Sequence, residues 1–247
     1  MTSLAGLLLR RRFLPLFITQ FLGAFNDNLY RTSLTMLAIY GIYRDPAQEA
    51  TFSAVAAGLF ILPFFLFSAL AGQLADSRDK AVIARIIKTV EILIMIAGAA
   101  GLYFQTIPLL LLALFAMGVH SSFFGPIKYA ILPQHLNKEE VLGGTGLVEA
   151  ATYMAILLGT ILGGALIIED ANGGFHAQYA AGLVLIIAII GRIAGGQIPP
   201  APPEADAPTF KMDWHIIRAS NAQVRATMHI PKLYLAILSI SFFWTIG

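Results

Sequence analysis

The residues best suited to chemistry are Asn26, Asp27 and Asn28, with Arg31 one helical turn on, near the middle of a span that is otherwise apolar from Phe13 to Tyr40. A charge at that depth in hydrocarbon costs at least ~2.5–3.5 kcal/mol on insertion scales, so such groups face a bundle interior or a wet cavity and mark a substrate or ion path. Two readings stand. Asp27 and Arg31, spaced i and i+4, can neutralise each other as a structural clamp. Alternatively the carboxylate and its amides line a polar cavity, which also satisfies the donors and acceptors that Asn26 and Asn28 carry and lipid does not. The cavity accounts for more of the residues.

Other polar groups sit in apolar surroundings further along. Ser121-Ser122-Phe123-Phe124-Gly125-Pro126-Ile127-Lys128-Tyr129 closes a fourth apolar stretch. Gly125-Pro126 is expected to loosen the helix and free backbone groups just before the Lys128 ammonium. Lys128 either snorkels to the interface or points inward as a cation for a phosphate group. His120, nearer mid-depth, is a candidate site residue whose plain alternative is a hydrogen-bonded core histidine. Glu149, in Gly146-Leu147-Val148-Glu149-Ala150, is a second intramembrane carboxylate, open to a structural partner or a transport role.

Composition sets the medium in which these groups work. Hydrophobic residues make up 57% of the 247 and charged residues only 12%, with a mean hydropathy of +0.76. That leaves too few charges to cover a soluble globule, so the chain is read as an integral membrane protein. A net charge of +2 is too small to point to nucleic acid. The absence of cysteine excludes disulfides, thiolate metal sites and thiol catalysis. No cofactor, metal site or catalytic group is expected.

Apolar stretches long enough to cross roughly 30 Å of hydrocarbon recur at about 13–40, 51–74, 82–104, 107–133, 141–168 and 177–197, and a seventh begins near Leu233. With alternating spans and a cytoplasmic N-terminus, thirteen of the sixteen Lys and Arg, Lys88 among them, fall on the cytoplasmic side and Arg44 alone outside, which fixes the expected orientation. The Leu4–Leu9 stretch before Arg10-Arg11-Arg12 has no signal-peptide cleavage pattern, so the first span is expected to stay. Pro199-Pro200-Ala201-Pro202-Pro203-Glu204 reads as an extended linker. After it, Phe210, Trp214, Ile217, Val224 and Met228 with Lys211, Arg218 and Arg225 describe an amphipathic helix with a basic edge, lying on the cytoplasmic leaflet or serving as a solvated connector. The expected division is a six-helix bundle at 1–197, a cytoplasmic linker with its helix at 198–231, and the start of a second bundle at 232–247.

Two motifs sharpen the architecture. Gly72-Gln73-Leu74-Ala75-Asp76-Ser77-Arg78-Asp79-Lys80 between the second and third spans resembles the G-x-L-A-D-R-x-G-R-K loop of the major facilitator superfamily, with Ser77 and Asp79 departing from the usual Arg and Gly. Gly72 permits close approach, Asp76 is expected to cap or pair near a helix end, and Arg78 and Lys80 meet headgroups; by the resemblance this loop gates the inward and outward states. In the fifth span, Gly159-Thr160-Ile161-Leu162-Gly163-Gly164 offers a small-xxx-small face for helix packing and is similar to the superfamily's G-P-x-x-G-G element, with Thr160 in place of the proline. The implied fold is an all-α membrane protein: the six-helix N-terminal half of a twelve-helix bundle whose halves are parallel repeats, cut within the seventh helix.

The strings Gln20-Phe21-Leu22-Gly23-Ala24-Phe25-Asn26-Asp27-Asn28, Pro126-Ile127-Lys128-Tyr129-Ala130-Ile131-Leu132 and Gly146-Leu147-Val148-Glu149-Ala150, followed by Leu157-Leu158-Gly159, resemble the lysophospholipid transporter family of that superfamily. The resemblance implies return of lysophospholipid, chiefly lysophosphatidylethanolamine, from the outer to the inner leaflet of the bacterial inner membrane for reacylation. It matches Asp27 and Lys128 to the charged positions of the first and fourth helices and Glu149 to the acidic position of the fifth. It also implies an acyltransferase and acyl-carrier-protein synthetase as partners, fused in longer members or separate. Two alternatives remain open at this stage: a proton-coupled carrier of a polar solute or drug, with Asp27 as the protonation site, and a membrane anchor for a fused acyltransferase.

Overall fold

A computed structural model describes residues 4–43, 45–167, 176–203 and 213–246. Arg44, Glu204, Phe210 and Lys211, which figure in the sequence reading, lie outside the described residues, and so does Gly247. Among the described residues every regular element is helical. A short α1 (Leu4–Leu7) leads into α2 (Leu14–Met36), which continues as a wider π-type turn over Leu37–Ile42, and α3 spans Pro46–Ser77. Next come α4 (Lys80–Phe104), α5 (Ile107–His135), α6 (Lys138–Ala165) and α7 (Ala177–Gly196), then α8 (Ile216–Met228) and α9 (Pro231–Ile246).

Sharp boundaries follow from local chemistry. Asp45 precedes Pro46 and accepts from the Ala47 N–H at 3.3 Å, so a cap and a first-turn proline start α3 together. Asp79 starts α4, its Oδ1 accepting from the N–H groups of Ala81 (2.8 Å) and Val82 (3.3 Å). This corrects the role expected of Asp76, which is exposed at the end of α3. The capping carboxylate is Asp79, one of the two departures from the loop pattern. Gln105, with φ of 52°, ends α4 in the left-handed conformation that turns the chain into α5. At α6 the Glu140 carboxylate reaches back to the Asn137 N–H at 2.9 Å.

Gly125-Pro126 does not loosen α5, which runs unbroken through Pro126 and Pro133. A proline removes one helical hydrogen bond, but Phe124, Ile127 and Ile131 are buried on both sides of it and packing holds the backbone in line.

α2 packs on α6 and α7, α3 on α5, and α4 on α5 and α7. Small residues set the closest approach. A Cβ on Gly159 would stand 2.5 Å from the Phe25 carbonyl oxygen and one on Gly163 2.5 Å from that of Leu29, so α6 meets α2 backbone to backbone. The Ser33 hydroxyl adds a 3.0 Å bond to the Gly163 carbonyl, and Gly164 lies at ordinary contact distance from Thr32.

Two apolar cores form, one around Leu29, Tyr30, Met95, Leu110 and Met117, the other around Phe13, Leu16, Ala84, Ile127 and Ile131. Along their helices Asn26, Lys88, Glu91, His120 and Ser121 fall between members of the two cores, whereas Lys128 and Glu149 lie beside the second. Large apolar side chains such as Phe65, Leu93, Leu157, Ile161 and Ile193 face outward, the reverse of a soluble protein. α3, α5, α6 and α7 are each long and apolar enough to cross a membrane. α2 and α4, of 23 and 25 residues, are of comparable length and carry the interior charges.

Candidate functional site

Successive residues of a helix are turned by about 100°, and Asn26, Asp27 and Asn28 accordingly face three neighbours. Asn26, fully buried, donates from Nδ2 to Glu91 Oε1 of α4 at 3.2 Å. Asp27, half-buried, accepts at Oδ2 from the Ser121 hydroxyl of α5 at 2.6 Å, while its Oδ1 is buried with no hydrogen-bond partner. Asn28 lies beside Gly159 of α6; its amide donates to the Ala24 carbonyl at 2.8 Å, and its Oδ1 accepts from Arg31 at 2.9 Å. Arg31 therefore bonds Asn28 rather than Asp27 and lies over the Phe60 ring, 5.7 Å from its centre. The i,i+4 clamp does not form.

A second polar group was not foreseen. Lys88 and Glu91, on consecutive turns of α4, form an ion pair, and both are buried, with 0% and 1% of their surface exposed. His120 Nε2 lies 3.3 Å from Glu91 Oε2. Room for the lysine comes from glycine: a Cβ on Gly23 or Gly191 would stand 3.2 Å from Lys88 Nζ, which lies 6.0 Å from the centre of the Phe124 ring. The orientation tally that put Lys88 on the cytoplasmic side is corrected, since its ammonium is inside the bundle. The signal was available in the sequence, because Lys88 and Glu91 are i,i+3 partners within the 82–104 stretch.

The two groups touch. Glu91 contacts His120, whose Nδ1 is 3.4 Å from the Ser121 hydroxyl, which in turn donates to Asp27. A file of polar atoms therefore runs from the buried pair on α4 through α5 to the half-open carboxylate of α2.

Lys128 is half-buried, lies over the ring of its neighbour Tyr129 at 4.9 Å from the centre, and makes no ion pair among the described residues. Glu149 and Asp27 are the carboxylates whose field acts on it. Glu149 accepts a short hydrogen bond from the Tyr129 hydroxyl. Charged groups of both signs, from α2, α5 and α6, thus share one face without cancelling pairwise. No group of His, Asp and Glu suited to hold a metal occurs among the described residues.

The signature loop lies apart from this site. Arg78 is exposed and Lys80 buried, with the Lys80 N–H bonded to the Ala201 carbonyl at 2.9 Å. Gly72 faces α8: a Cβ there would stand 3.3 Å from Gln223 Nε2, which donates to the Ala69 carbonyl. The amphipathic helix is docked on the end of α3.

A sequence profile of the Major Facilitator Superfamily matches residues 16–247. Among curated proteins, lysophospholipid transporters of Salmonella heidelberg (strain SL476), Salmonella agona (strain SL483) and Salmonella typhi are each 31% identical over 153 residues, which is 62% of this chain and 36% of theirs. The match thus spans about a third of the length of these relatives.

Proposed function

The chain belongs to the Major Facilitator Superfamily, a multi-pass membrane protein, and from that premise we propose that it forms the first half of a carrier that moves lysophospholipid, chiefly lysophosphatidylethanolamine, between leaflets by alternating access. One observation carries this reading: among the described residues Lys128 has no ion-pair partner, and Asp27 keeps a buried carboxylate oxygen unbonded on the same face. A phosphoethanolamine head brings one anion and one cation, so it meets both needs at once, while its single acyl tail lies against apolar walls. Asp27 takes the ammonium, with Asn26 and Asn28 as hydrogen-bond partners, and Lys128 takes the phosphate. Glu149, which accepts from the Tyr129 hydroxyl, adds its field at Lys128. The relatives' printed name supports the substrate class.

In this reading the N-terminus is cytoplasmic, the membrane is the bacterial inner membrane, and movement is from outer to inner leaflet, where an acyltransferase can reacylate the product. Leaflet-resolved transport in proteoliposomes tests it, using the carrier encoded by the whole open reading frame. Lys128→Ala should lower lysophosphatidylethanolamine transport about tenfold or more, as expected for one charge-assisted hydrogen bond. Lys128→Arg should retain part of the rate, and monoacylglycerol, which has no phosphate, should not distinguish the variants. Equal losses for both lipids would remove Lys128 from the site.

A second reading, solute flux coupled to protons, is favoured by the file of contacts from Glu91 through His120 and Ser121 to Asp27. It expects transport to follow an imposed pH gradient and to lose that dependence in His120→Gln.

A further inference from the structure

We propose that the end of the bundle where the chain enters α2 and leaves α7 carries a binding site for the phosphate group of an anionic phospholipid, separate from the transport site. A cavity of about 490 Å³ opens there, lined by Arg11, Arg12 and Arg85 together with the chain from Gly196 to Pro200. Three guanidinium groups converge on it, and no carboxylate lines it.

The three are not equivalent. Arg12 is neutralised: its terminal nitrogen reaches both Glu140 carboxylate oxygens at 2.8 and 2.7 Å, and it also donates to the His135 carbonyl at 3.1 Å. Arg85 donates from one terminal nitrogen to the Ile198 carbonyl at 2.9 Å, but its Nε is buried without a hydrogen-bond partner. Arg11 is exposed and has neither a hydrogen-bond nor an ion-pair partner among the described residues. Two positive charges therefore face one cavity with no counter-ion among the described residues, and one carries a buried donor that no described protein group accepts. Such a group is costly to leave unmade. The planar donor fork of arginine matches a phosphate diester, which would accept from Arg85 and Arg11 together.

The backbone makes the site firm. Ile198 is buried, the Gln197 and Ile198 N–H groups bond back into the last turn of α7, and the Ala201 N–H bonds Asp79 at 3.2 Å. Gln134 and His135 hold the carbonyls of Pro202 and Pro200 at 3.0 and 3.2 Å. The proline-rich stretch is strapped across this end of the bundle as a fixed rim, at the depth where helix ends meet headgroups. A lipid phosphate is thus the favoured source, with free phosphate as the other supplier of the same chemistry.

The test is native mass spectrometry of the purified carrier with phosphatidylglycerol, phosphatidylcholine or inorganic phosphate, on wild type, Arg11→Gln, Arg85→Gln and Arg10→Gln. Arg10 belongs to the same basic run but does not line the cavity. Arg11→Gln should cut phosphatidylglycerol occupancy about tenfold, the scale of one charge-assisted hydrogen bond, whereas Arg10→Gln should leave it unchanged. Arg11 makes no contact that the fold needs, so this arm reads out even where Arg85→Gln fails to fold. Displacement of the lipid by inorganic phosphate would keep the phosphate site and change its source. Unchanged occupancy in Arg11→Gln, an equal loss in Arg10→Gln, or equal retention of phosphatidylcholine would overturn the proposal.

Discussion

Two charged regions of this bundle lie within one polar file and are built on opposite plans. On α4, Lys88 and Glu91 are sealed from solvent and neutralise each other, with His120 and Asn26 against the carboxylate. On the face shared by α2, α5 and α6, Lys128 is unpaired among the described residues and Asp27 keeps one oxygen unbonded. A buried pair that is already neutralised has little charge left to offer a ligand, and its removal one partner at a time is what hurts. An unsatisfied, half-open pair costs stability in the empty protein and recovers it on binding. On the proposed function, the contrast separates scaffold from recognition surface among residues of the same chemical type.

The largest expected effect tests the sealed region. Glu91→Gln leaves the Lys88 ammonium buried beside an amide, and breaking such a pair from one side costs about 3–5 kcal/mol. The variant should yield little monodisperse protein in detergent. Lys88→Met combined with Glu91→Gln should recover much of the loss, since the pair then leaves together. A Glu91→Gln variant that folds normally but does not transport would break the comparison and move the cluster into the working machinery.

Next in size is the helix contact that holds the open face in shape. Gly159→Val puts a branched side chain where even a Cβ would sit 2.5 Å from the Phe25 carbonyl. Overpacking of this kind costs about 1–3 kcal/mol, and here it displaces the helix that carries Asp27. Thermal unfolding should report a clear drop for Gly159→Val and almost none for Gly164→Ala, whose Cβ would meet Thr32 at an ordinary 3.9 Å.

How far these regions could be read without coordinates differs in the same way. The six apolar stretches and the Asn26-Asp27-Asn28 cluster stand out because their neighbours are apolar, and the helices follow with ends displaced by a few residues. Lys88 was misread because a lysine near the start of a span fits the positive-inside count. It lies eight residues into α4, roughly 12 Å along the axis, and only the glycines of α2 and α7 reveal the space made for it. Asp76 and Asp79 both look like caps, and the boundary between α3 and α4 decides for Asp79. That Arg31 turns to Asn28 and not to Asp27 depends on side-chain direction, which spacing alone leaves open.

Smaller in stability, though not in function, is Asp27→Asn. The amide keeps the shape and can still accept from Ser121, so the fold should hold, while transport of the zwitterionic lipid should fall about tenfold or more with the lost charge. Comparing its thermal midpoint with that of Glu91→Gln sharpens the contrast directly, because two carboxylates joined by one polar file should fail in different assays. A parallel loss of stability in both would merge the two regions.

The smallest effect comes from a third setting for the same charges. Outside the membrane spans, Arg218 donates to both Asp213 oxygens at 2.6 and 2.7 Å, yet the arginine side chain is 70% exposed. The arginine's hydrogen bonds, with a further one from the His215 N–H, hold the Asp213 carboxyl down to about 2 from its ordinary 3.8. A depressed carboxylate stabilises the fold fully above its unfolded value and loses that contribution as pH falls through the folded one. Its influence should therefore be constant from neutral pH to about 4 and fade toward 2. Asp213 also leads into α8 and donates its N–H to Gln73 at 2.9 Å, so the readout is local: protection of α8 from hydrogen exchange. Arg218→Gln should change that protection only slightly at neutral pH and abolish its dependence on acid below 4, because solvent screens an exposed pair that geometry alone would rank beside Lys88 and Glu91.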